Sequence, residues 1–143
     1  MQFTLVKHNS EAYWKCVALR DKLLRKPLGL AFSKEELMQE NNQIHFALIK
    51  NNEVIACLSL VPNDDKQIKM RQVCVDSTIQ QKGLGRNLVL NAEKWAIENH
   101  YNKMYCHARA NVLPFYEKMA YKKIGNTFLE VGIPHFKMEK VLI

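Results

Sequence analysis

Two glycines flanked by basic residues lie where a strand pattern gives way to a helix pattern. Gly83 and Gly85 stand between Lys82 and Arg86. The first turn of a helix has amide N–H groups without an internal acceptor, and the helix dipole adds positive potential there. The missing side chains let a ligand approach the backbone, and the two cations attract an anion. The spacing indicates a pyrophosphate site, although it also suits a tight turn without a ligand.

The elements around this turn follow from hydrophobic spacing. Val73 and Val75 lie in an alternating segment, which predicts a buried strand. Two common nucleotide motifs do not fit the turn. Position 88 is Leu instead of the third glycine of a dinucleotide site, and Gly85 precedes Arg86, whereas a P-loop continues with Lys and Ser or Thr. Helical spacing is seen in the apolar residues Leu84, Leu88, Val89, Ala92, Trp95 and Ala96.

A second segment with chemical potential runs from Asn111 to Tyr121 and contains Phe115-Tyr116-Glu117-Lys118. Together with Gln80-Gln81-Lys82-Gly83-Leu84-Gly85, it resembles the two signatures of the GCN5-related N-acetyltransferase (GNAT) family. The first signature, the acyl-CoA-binding motif, has Gln or Arg, two residues, Gly, one residue, and Gly or Ala after a hydrophobic strand. Because both signatures occur in the right order and separation, the resemblance covers essentially the whole chain. It is closest to small, single-domain bacterial members.

The resemblance implies acetyl-CoA as cosubstrate. It places main-chain groups of Val73 and Val75 along the pantetheine arm, with one amide of this strand as oxyanion donor. Asn111 would hydrogen-bond the cofactor arm, and its alternative role is the N-cap of a helix that starts at Val112. The implied cofactor-binding residues are Val73, Val75, Gln80, Gln81, Lys82, Gly83, Leu84, Gly85, Arg86 and Asn111.

Acetyl transfer from a thioester to an amine also needs proton management. A lysine-like amine has a pKa near about 10.4, so a proton must be removed before attack, and the departing thiolate must gain one. The resemblance implies Tyr116 as the general acid; the alternative is that Tyr116 only packs and binds the cofactor. The general base stays open among His107, His135, Glu130 and water. For Glu130 and His135 we favour ordinary surface-loop roles.

The elements that position these groups are predicted from periodicity and turn residues. A first strand over residues 1–8 precedes a helix with an N-cap at Asn9-Ser10, and Ser33 to Glu36 form a capping box that starts a second helix. Asn51-Asn52 joins two apolar strands in a hairpin, so an antiparallel meander leads to the cofactor strand. The predicted core residues of the first helix are Trp14, Val17, Ala18, Leu23 and Leu24.

The resemblance implies an α/β (α+β) GNAT fold. Its mixed, mostly antiparallel sheet would have about six or seven strands and about four helices, with splayed strands at the cofactor site. The segment 28–32 and the second helix would lie over the acceptor site and help to choose the substrate. Simple packing is the alternative for each of these residues.

Composition limits the remaining classes. The 143 residues predict a single domain over 1–143, without a membrane-spanning run or a signal-peptide pattern, so we expect a cytoplasmic protein. Its four cysteines lack metal-site spacing, which predicts no metal. The net charge of +7 is spread along the chain without a dense basic block, which argues against nucleic acid as a partner. The sequence leaves open whether the chain forms a homodimer.

The leading hypothesis is an acetyltransferase that moves an acetyl group from acetyl-CoA to an amine by direct attack in a ternary complex. No cysteine lies in a nucleophile pattern, which agrees with direct transfer. The alternative is a non-catalytic acyl-CoA-binding or sensing module with the same fold. The acceptor, a small-molecule or peptide amine, and the acyl-chain preference are not encoded in a readable motif.

Overall fold

In residues 1–79 and 81–142, which the computed structural model describes, seven strands form one mixed sheet with helices on both faces. Its strand order is β1-β2-β3-β4-β5-β7-β6. The strands are β1 (Gln2–Val6), β2 (Ile44–Lys50), β3 (Glu53–Pro62), β4 (Gln67–Val75), β5 (Lys103–Arg109), β6 (Lys122–Glu130) and β7 (Ile133–Val141). The helices are α1 (Glu11–Arg20), α2 (Lys34–Gln39), α3 (Leu84–Glu98) and α4 (Leu113–Glu117).

The local signals behave as the sequence predicts. The Ser10 hydroxyl caps α1 by accepting from the amide of Tyr13, and the capping box between Ser33 and Glu36 forms at the start of α2. Asn51 and Asn52 turn the β2–β3 hairpin with φ of 52° and 65°, in the left-handed region that Asn tolerates. Strands β1 to β4 therefore form the expected antiparallel meander.

Each face of the sheet has its own core. Helix α3 buries Leu88, Val89 and Ala92 against one face, together with Met70 of β4 and Cys106 of β5. Helix α1 packs on the opposite face, where Tyr13 and Cys16 meet Cys57 and Cys74. Because side chains alternate across a strand, neighbouring residues of β4 and β5 serve different layers.

The buried face of α1 agrees only in part with the predicted one, since Val17, Leu23 and Leu24 pack against the core as predicted. Trp14 is 47% exposed and Ala18 is also exposed, whereas Tyr13, Cys16, Leu19 and Arg20 are buried. A buried polar contact explains the difference, because Arg20 and Tyr13 donate hydrogen bonds to the buried carboxylate of Glu40. The helix therefore directs a charged residue toward the interior. After Arg20 the chain continues through a π-helical turn, Asp21–Arg25, and a short 3₁₀ turn that ends at Gly29 with φ of 69°.

Strands β4 and β5 form the parallel pair in the middle of the sheet, and they diverge halfway along their length. Their pairing runs from Gln67 opposite Lys103 to Met70 opposite Cys106. Beyond this point β4 continues to Val75 and β5 to Arg109 without pairing to each other. The divergence leaves main-chain N–H and C=O groups on the facing edges of both strands free to form hydrogen bonds with a ligand or with solvent.

Candidate active site

A cleft of about 510 Å³ opens where β4 and β5 diverge. Strands β4 and β5 form its two walls, the π-helical turn after α1 contributes Leu24 and Arg25, and the β6–β7 hairpin contributes Glu130, Val131 and His135. Asn111 and Tyr116 lie on the same cleft. A space of this size suits a small molecule or the end of a larger one.

The glycine turn enters helix α3 at one side of this region. Gly83 is the N-cap with φ of 80°, and α3 begins at Leu84, with the amide of Asn87 donating to the carbonyl of Gly83. A Cβ added at Gly83 would meet no heavy atom within 4 Å, so the backbone faces open space. The amides of the first helical turn have no intrahelical acceptor, which gives the turn the donors that an anion needs.

Gly85 is a glycine for another reason. A Cβ there would lie 3.2 Å from Cε1 of Phe115 and 3.6 Å from Cγ2 of Val75. Packing against Phe115 therefore favours a small residue at 85, whether or not a ligand also approaches the backbone there. The contact joins the glycine turn to the Phe115-Tyr116 segment, so the two sequence motifs meet in space.

A β-bulge deforms β4 inside the cleft. Arg71 pairs with Ser59 and Cys74 with Cys57, so Leu58 of β3 faces two residues, Gln72 and Val73. Gln72 adopts φ of 59°, an uncommon conformation for a residue with a Cβ. Such a bulge leaves the extra residue outside the ladder and re-aims the backbone at that point. The bulge could not be predicted from the residue types, since Gln is not among the residues enriched in left-handed conformations.

Tyr116 is 7% exposed and lies between two aromatic rings. Its ring makes edge contacts with Phe115, at a centroid distance of 5.0 Å, and with Tyr121, at 5.6 Å. Burial raises the pKa of Tyr116 well above its usual range, with a further contribution from Cys106, so the hydroxyl is a proton donor. Among residues 1–79 and 81–142 this hydroxyl has no hydrogen-bond partner, and it lies at the cleft wall.

Asn111 is exposed at the cleft, in the 3₁₀ turn Ala110–Val112. The alternative role as an N-cap is wrong, because α4 begins at Leu113 with Val112 at its N-cap and no side-chain cap hydrogen bond. Its amide is therefore available to a ligand in the cleft. Gln80, also named by the motif, lies outside the described residues.

The three side-chain candidates for the base form one cluster, in which His135 is buried and the side chain of Glu130 is 44% exposed. Nδ1 of His107 lies 3.0 Å from Oε1 of Glu130, and Nε2 of His135 lies 3.7 Å from Oε2. His135 also donates from Nδ1 to the carbonyl of Ile133, at 2.7 Å. Burial alone would raise the pKa of Glu130, but the hydrogen bond from His107 and the charges of His107, His135 and Lys69 outweigh it and lower that pKa.

The sequence analysis missed the basic residues of the cleft. Lys69 and Arg71 of β4, Arg109 of β5 and Arg25 all line it. Alternation could have revealed part of this pattern, because Lys69 and Arg71 alternate with the buried Ile68 and Met70. Of the segment after α1, the lining residues are Leu24 and Arg25, while Phe32 of the predicted 28–32 segment stacks against the guanidinium of Arg25 at 4.1 Å.

Cys106 is the cysteine at the cleft, and its environment makes it a poor nucleophile. Burial raises the pKa of its thiol to about 12, although the charge of Lys69 acts in the opposite direction. A thiol in that state carries almost no thiolate at neutral pH. Within the described residues, no three side chains of His, Cys, Asp or Glu are placed to hold a metal ion. Nor does any described helix have the length and apolar character to cross a membrane.

Comparisons with known proteins agree with this geometry. The uncharacterized N-acetyltransferase YjcF of Bacillus subtilis is 23% identical over 137 residues, which cover 95% of this chain and 97% of that protein. The UPF0039 protein C11D3.02c of Schizosaccharomyces pombe is 30% identical over 90 residues, which cover 62% of this chain and 60% of that relative's length. A solved aminoglycoside 6'-N-acetyltransferase in complex with coenzyme A has a TM-score of 0.82 at 15% identity, with 100% and 98% of the two chains covered.

The predicted fold is thus confirmed, since the mixed seven-stranded sheet with helices on both faces is shared along the full length of that solved acetyltransferase. A family model described as an acetyltransferase (GNAT) domain matches residues 26–142, which include the glycine turn, the diverging strands and the Tyr116 segment. The chain therefore belongs to the GNAT family of acetyltransferases.

Proposed function

We propose that this chain, as one domain, transfers an acetyl group from acetyl-CoA to a primary amine by direct attack in a ternary complex. The observation that carries this proposal is the cleft between the diverging β4 and β5. It has a helix entrance with free amides near one side and the hydroxyl of a buried tyrosine, Tyr116, in its wall. Residues of this chain would bind the cosubstrate, stabilise the oxyanion and transfer the protons.

The pyrophosphate of the cosubstrate would lie at the entrance of α3. Amides of residues 81–86 supply hydrogen-bond donors, and Lys82 and Arg86 supply charge. The pantetheine arm would run along β4 at Val73 and Val75, where the strand has no partner on its β5 side, and the Asn111 side chain is within the same cleft. Support for this placement comes from the open space around Gly83.

The bulge at Gln72 offers the oxyanion donor. Its extra residue leaves the ladder of β3 and β4, so a main-chain amide at residues 72–73 can point into the cleft. A fixed amide aimed at the carbonyl oxygen stabilises the charge that develops in the tetrahedral intermediate. Because this donor is main chain, the identity of the side chain at 72 matters less than the bulge itself.

His107 is our choice for the general base. Its Nδ1 donates to Glu130, so the neutral imidazole carries its lone pair on Nε2, and its side chain is 27% exposed at the cleft. His135 is more buried and uses its Nδ1–H for the carbonyl of Ile133. In the proposed step, Nε2 of His107 removes a proton from the ammonium, and the freed lone pair forms the N–C bond. The nitrogen, which is positively charged in the tetrahedral intermediate, loses its second proton to water as the carbonyl re-forms and the C–S bond breaks.

Tyr116 then serves the leaving group. As the C–S bond breaks, its electron pair stays on sulfur, which takes a proton from the Tyr116 hydroxyl to give the coenzyme A thiol. The phenol is protonated at neutral pH, as a tyrosine with its usual pKa would also be, and solvent restores the proton after the transfer. The high pKa of the Cys106 thiol argues against a covalent acetyl-enzyme, which favours direct attack over two successive transfers.

The test is the Tyr116→Phe variant, assayed for release of coenzyme A thiol with a panel of amines and, separately, for coenzyme A binding by calorimetry. We expect kcat to fall on the order of 100-fold with the dissociation constant of coenzyme A unchanged. Tyr101→Phe is the matched control, because Tyr101 packs on Trp95 outside the cleft.

Two results would overturn the proposal in different ways. Coenzyme A binding to the native chain without turnover of any amine would favour the sensing module. An unchanged kcat in Tyr116→Phe would remove the acid role while leaving the transferase intact.

A further inference from the structure

The charge of the cleft is uneven. Four cationic side chains, Arg25, Lys69, Arg71 and Arg109, line it, against the single carboxylate of Glu130 among the described lining residues. Such a concentration in a concave site raises the local concentration of anions. The cosubstrate's own phosphates do not account for it, because their proposed site lies at the entrance of α3.

The cations lie on the face of the sheet away from α3. Met70, Cys106 and Ala108 pack into the core beneath α3. Because side chains alternate along a strand, Lys69 and Arg71 of β4 project to the opposite face, as does Arg109 of β5. The hydrogen bond from Nη2 of Arg109 to the carbonyl of Leu24, at 3.2 Å, confirms that direction. His107 shares this face, so the cations and the proposed base line the same side of the cleft.

Three of these cations have no carboxylate partner. Arg25 forms an ion pair with Glu36 at 3.2 Å, but among residues 1–79 and 81–142 none forms with Lys69, Arg71 or Arg109. Arg71 makes one long hydrogen bond, 3.4 Å, from Nη1 to Oε1 of Gln43. Each guanidinium therefore keeps N–H groups for a further acceptor.

Lys69 shows that this grouping has a cost. Burial lowers the pKa of its ammonium, and the charge of Arg71 lowers it further, while Glu130 acts in the opposite direction. Neighbouring like charges in a half-buried site destabilise one another unless an anion is bound between them. The cleft is thus better suited to a ligand that brings negative charge than to one that brings more positive charge.

We propose that the acceptor is a small primary amine that also carries an anionic group, a carboxylate or a phosphate, with Arg71 and Arg109 binding that group and the amine lying beside His107. This inference rests on the proposed function. The planar guanidinium fork matches either oxyanion, and a cleft of about 510 Å³ has room for a small acceptor beside the end of the acyl arm. A polycationic acceptor, such as an aminoglycoside, is the opposite of what this charge pattern selects.

The experiment compares acceptors that differ in charge, with acetyl-CoA at saturation. The probes are β-alanine, its uncharged amide, O-phosphoethanolamine and the polycation spermidine. We expect kcat/KM to be highest for one of the two anionic amines, and the difference between them identifies carboxylate or phosphate. In Arg71→Gln and Arg109→Gln, KM for that acceptor should rise about 10- to 100-fold, as for the loss of a hydrogen bond between charged groups, with little change for the uncharged amide.

The control is Lys94→Gln, which removes one positive charge from the exposed side of α3, away from the cleft. It should leave KM for every probe unchanged. Preference for spermidine or the amide, or an equal effect of the Arg71 change on all four probes, would overturn the inference.

A second measurement separates this inference from the proposed function. Calorimetric titration of each amine into the chain saturated with coenzyme A reports acceptor binding without turnover. Tight binding of an anionic amine that Arg71→Gln weakens, without any acetylation, would sustain the ligand class and refute the transferase. Turnover of uncharged amines alone would do the reverse.

Discussion

Two carboxylates in this chain are each held by two neighbouring side chains, yet they have opposite settings. Glu40 is 3% exposed and receives two hydrogen bonds from Arg20, at 2.9 and 2.6 Å, and one from the hydroxyl of Tyr13, at 2.7 Å. The side chain of Glu130 is 44% exposed and has one close partner, His107, at 3.0 Å. The carboxylate of Glu40 has its hydrogen bonds satisfied within the protein and is shielded from solvent, whereas that of Glu130 is open to the cleft.

The contrast between Glu40 and Glu130 shows that burial separates a carboxylate with a structural role from one that is available for chemistry. Burial opposes ionisation of both carboxyl groups, and in both the neighbouring hydrogen bonds and charges prevail and lower the pKa. At Glu40 this leaves an ion pair that fastens α1 to the segment after α2, with no room for a reaction. At Glu130 the same ionised state orients a histidine whose other nitrogen stays free. Breaking each site should therefore affect a different measurement.

The largest effect is expected at the buried site. Glu40→Gln leaves the guanidinium of Arg20 uncompensated at 1% exposure, which should lower the free energy of unfolding by about 3–5 kcal/mol. Urea denaturation measures this loss. Glu11→Gln is the control, since Glu11 pairs with Lys15 on the surface of α1 at 88% side-chain exposure, where less than about 0.5 kcal/mol is expected. A loss below about 1 kcal/mol at Glu40 would mean that the pair is not structural.

The next effect is expected on activity alone. His107→Gln removes the proposed base, so kcat should fall on the order of 100-fold, while the midpoint of thermal unfolding changes little because the side chain is partly exposed. Steady-state kinetics and a thermal melt measure the two quantities together. The control is His100→Gln, at an exposed position after α3. Equal losses of kcat and of thermal stability would show that His107 has a structural role, as Glu40 does, and is not the base.

A smaller effect is expected when the orienting carboxylate is neutralised. Glu130→Gln should lower kcat about tenfold, because a weak hydrogen bond to His107 persists. Steady-state kinetics measure this loss. An unchanged kcat would show that the Glu130 carboxylate does not position His107.

The smallest effect concerns the pH dependence of stability. His45 is buried beside Glu40, and burial lowers its pKa despite the opposing hydrogen bond to the Glu40 carbonyl and charge of Glu40. Below about pH 6.5 the unfolded state therefore binds a proton that the folded state does not, and stability should fall by at most about 1.4 kcal/mol per pH unit until the folded pKa is reached. Urea titrations of the native chain and His45→Gln, at pH 7 and pH 5.5, measure this term.

That loss should be smaller in His45→Gln. Equal pH dependence in the native chain and His45→Gln would show that the buried cluster does not titrate in this range.

Local signals explain what the sequence could predict. Gly83, Ser10 and the capping box at Ser33 act within a few residues, and their conformations match expectation. Ala120 adopts φ of 70° just after α4, at the position where a glycine commonly ends a helix. These positions are decided by neighbours along the chain.

Long-range pairing explains what the sequence could not predict. Glu130 reaches His107, 23 residues away, because β7 pairs with β5 on one side and β6 on the other. Composition does not reveal that register. The buried face of α1 was missed because Arg20 reads as a surface residue until its partner, 20 positions along the chain, is known.

The bulge at Gln72 makes the length of β4 as consequential as its chemistry. In a regular strand Arg71 and Val73 would lie on the same face of the sheet. Here they lie on opposite faces, because the extra residue shifts the alternation by one. Deleting Gln72 would restore an unbroken ladder and leave Arg71, Val73 and Val75 on their present faces, because the bulge accounts for the one residue by which the alternation is shifted. Deleting a residue elsewhere in β4 would instead move the side chains that follow it to the opposite face.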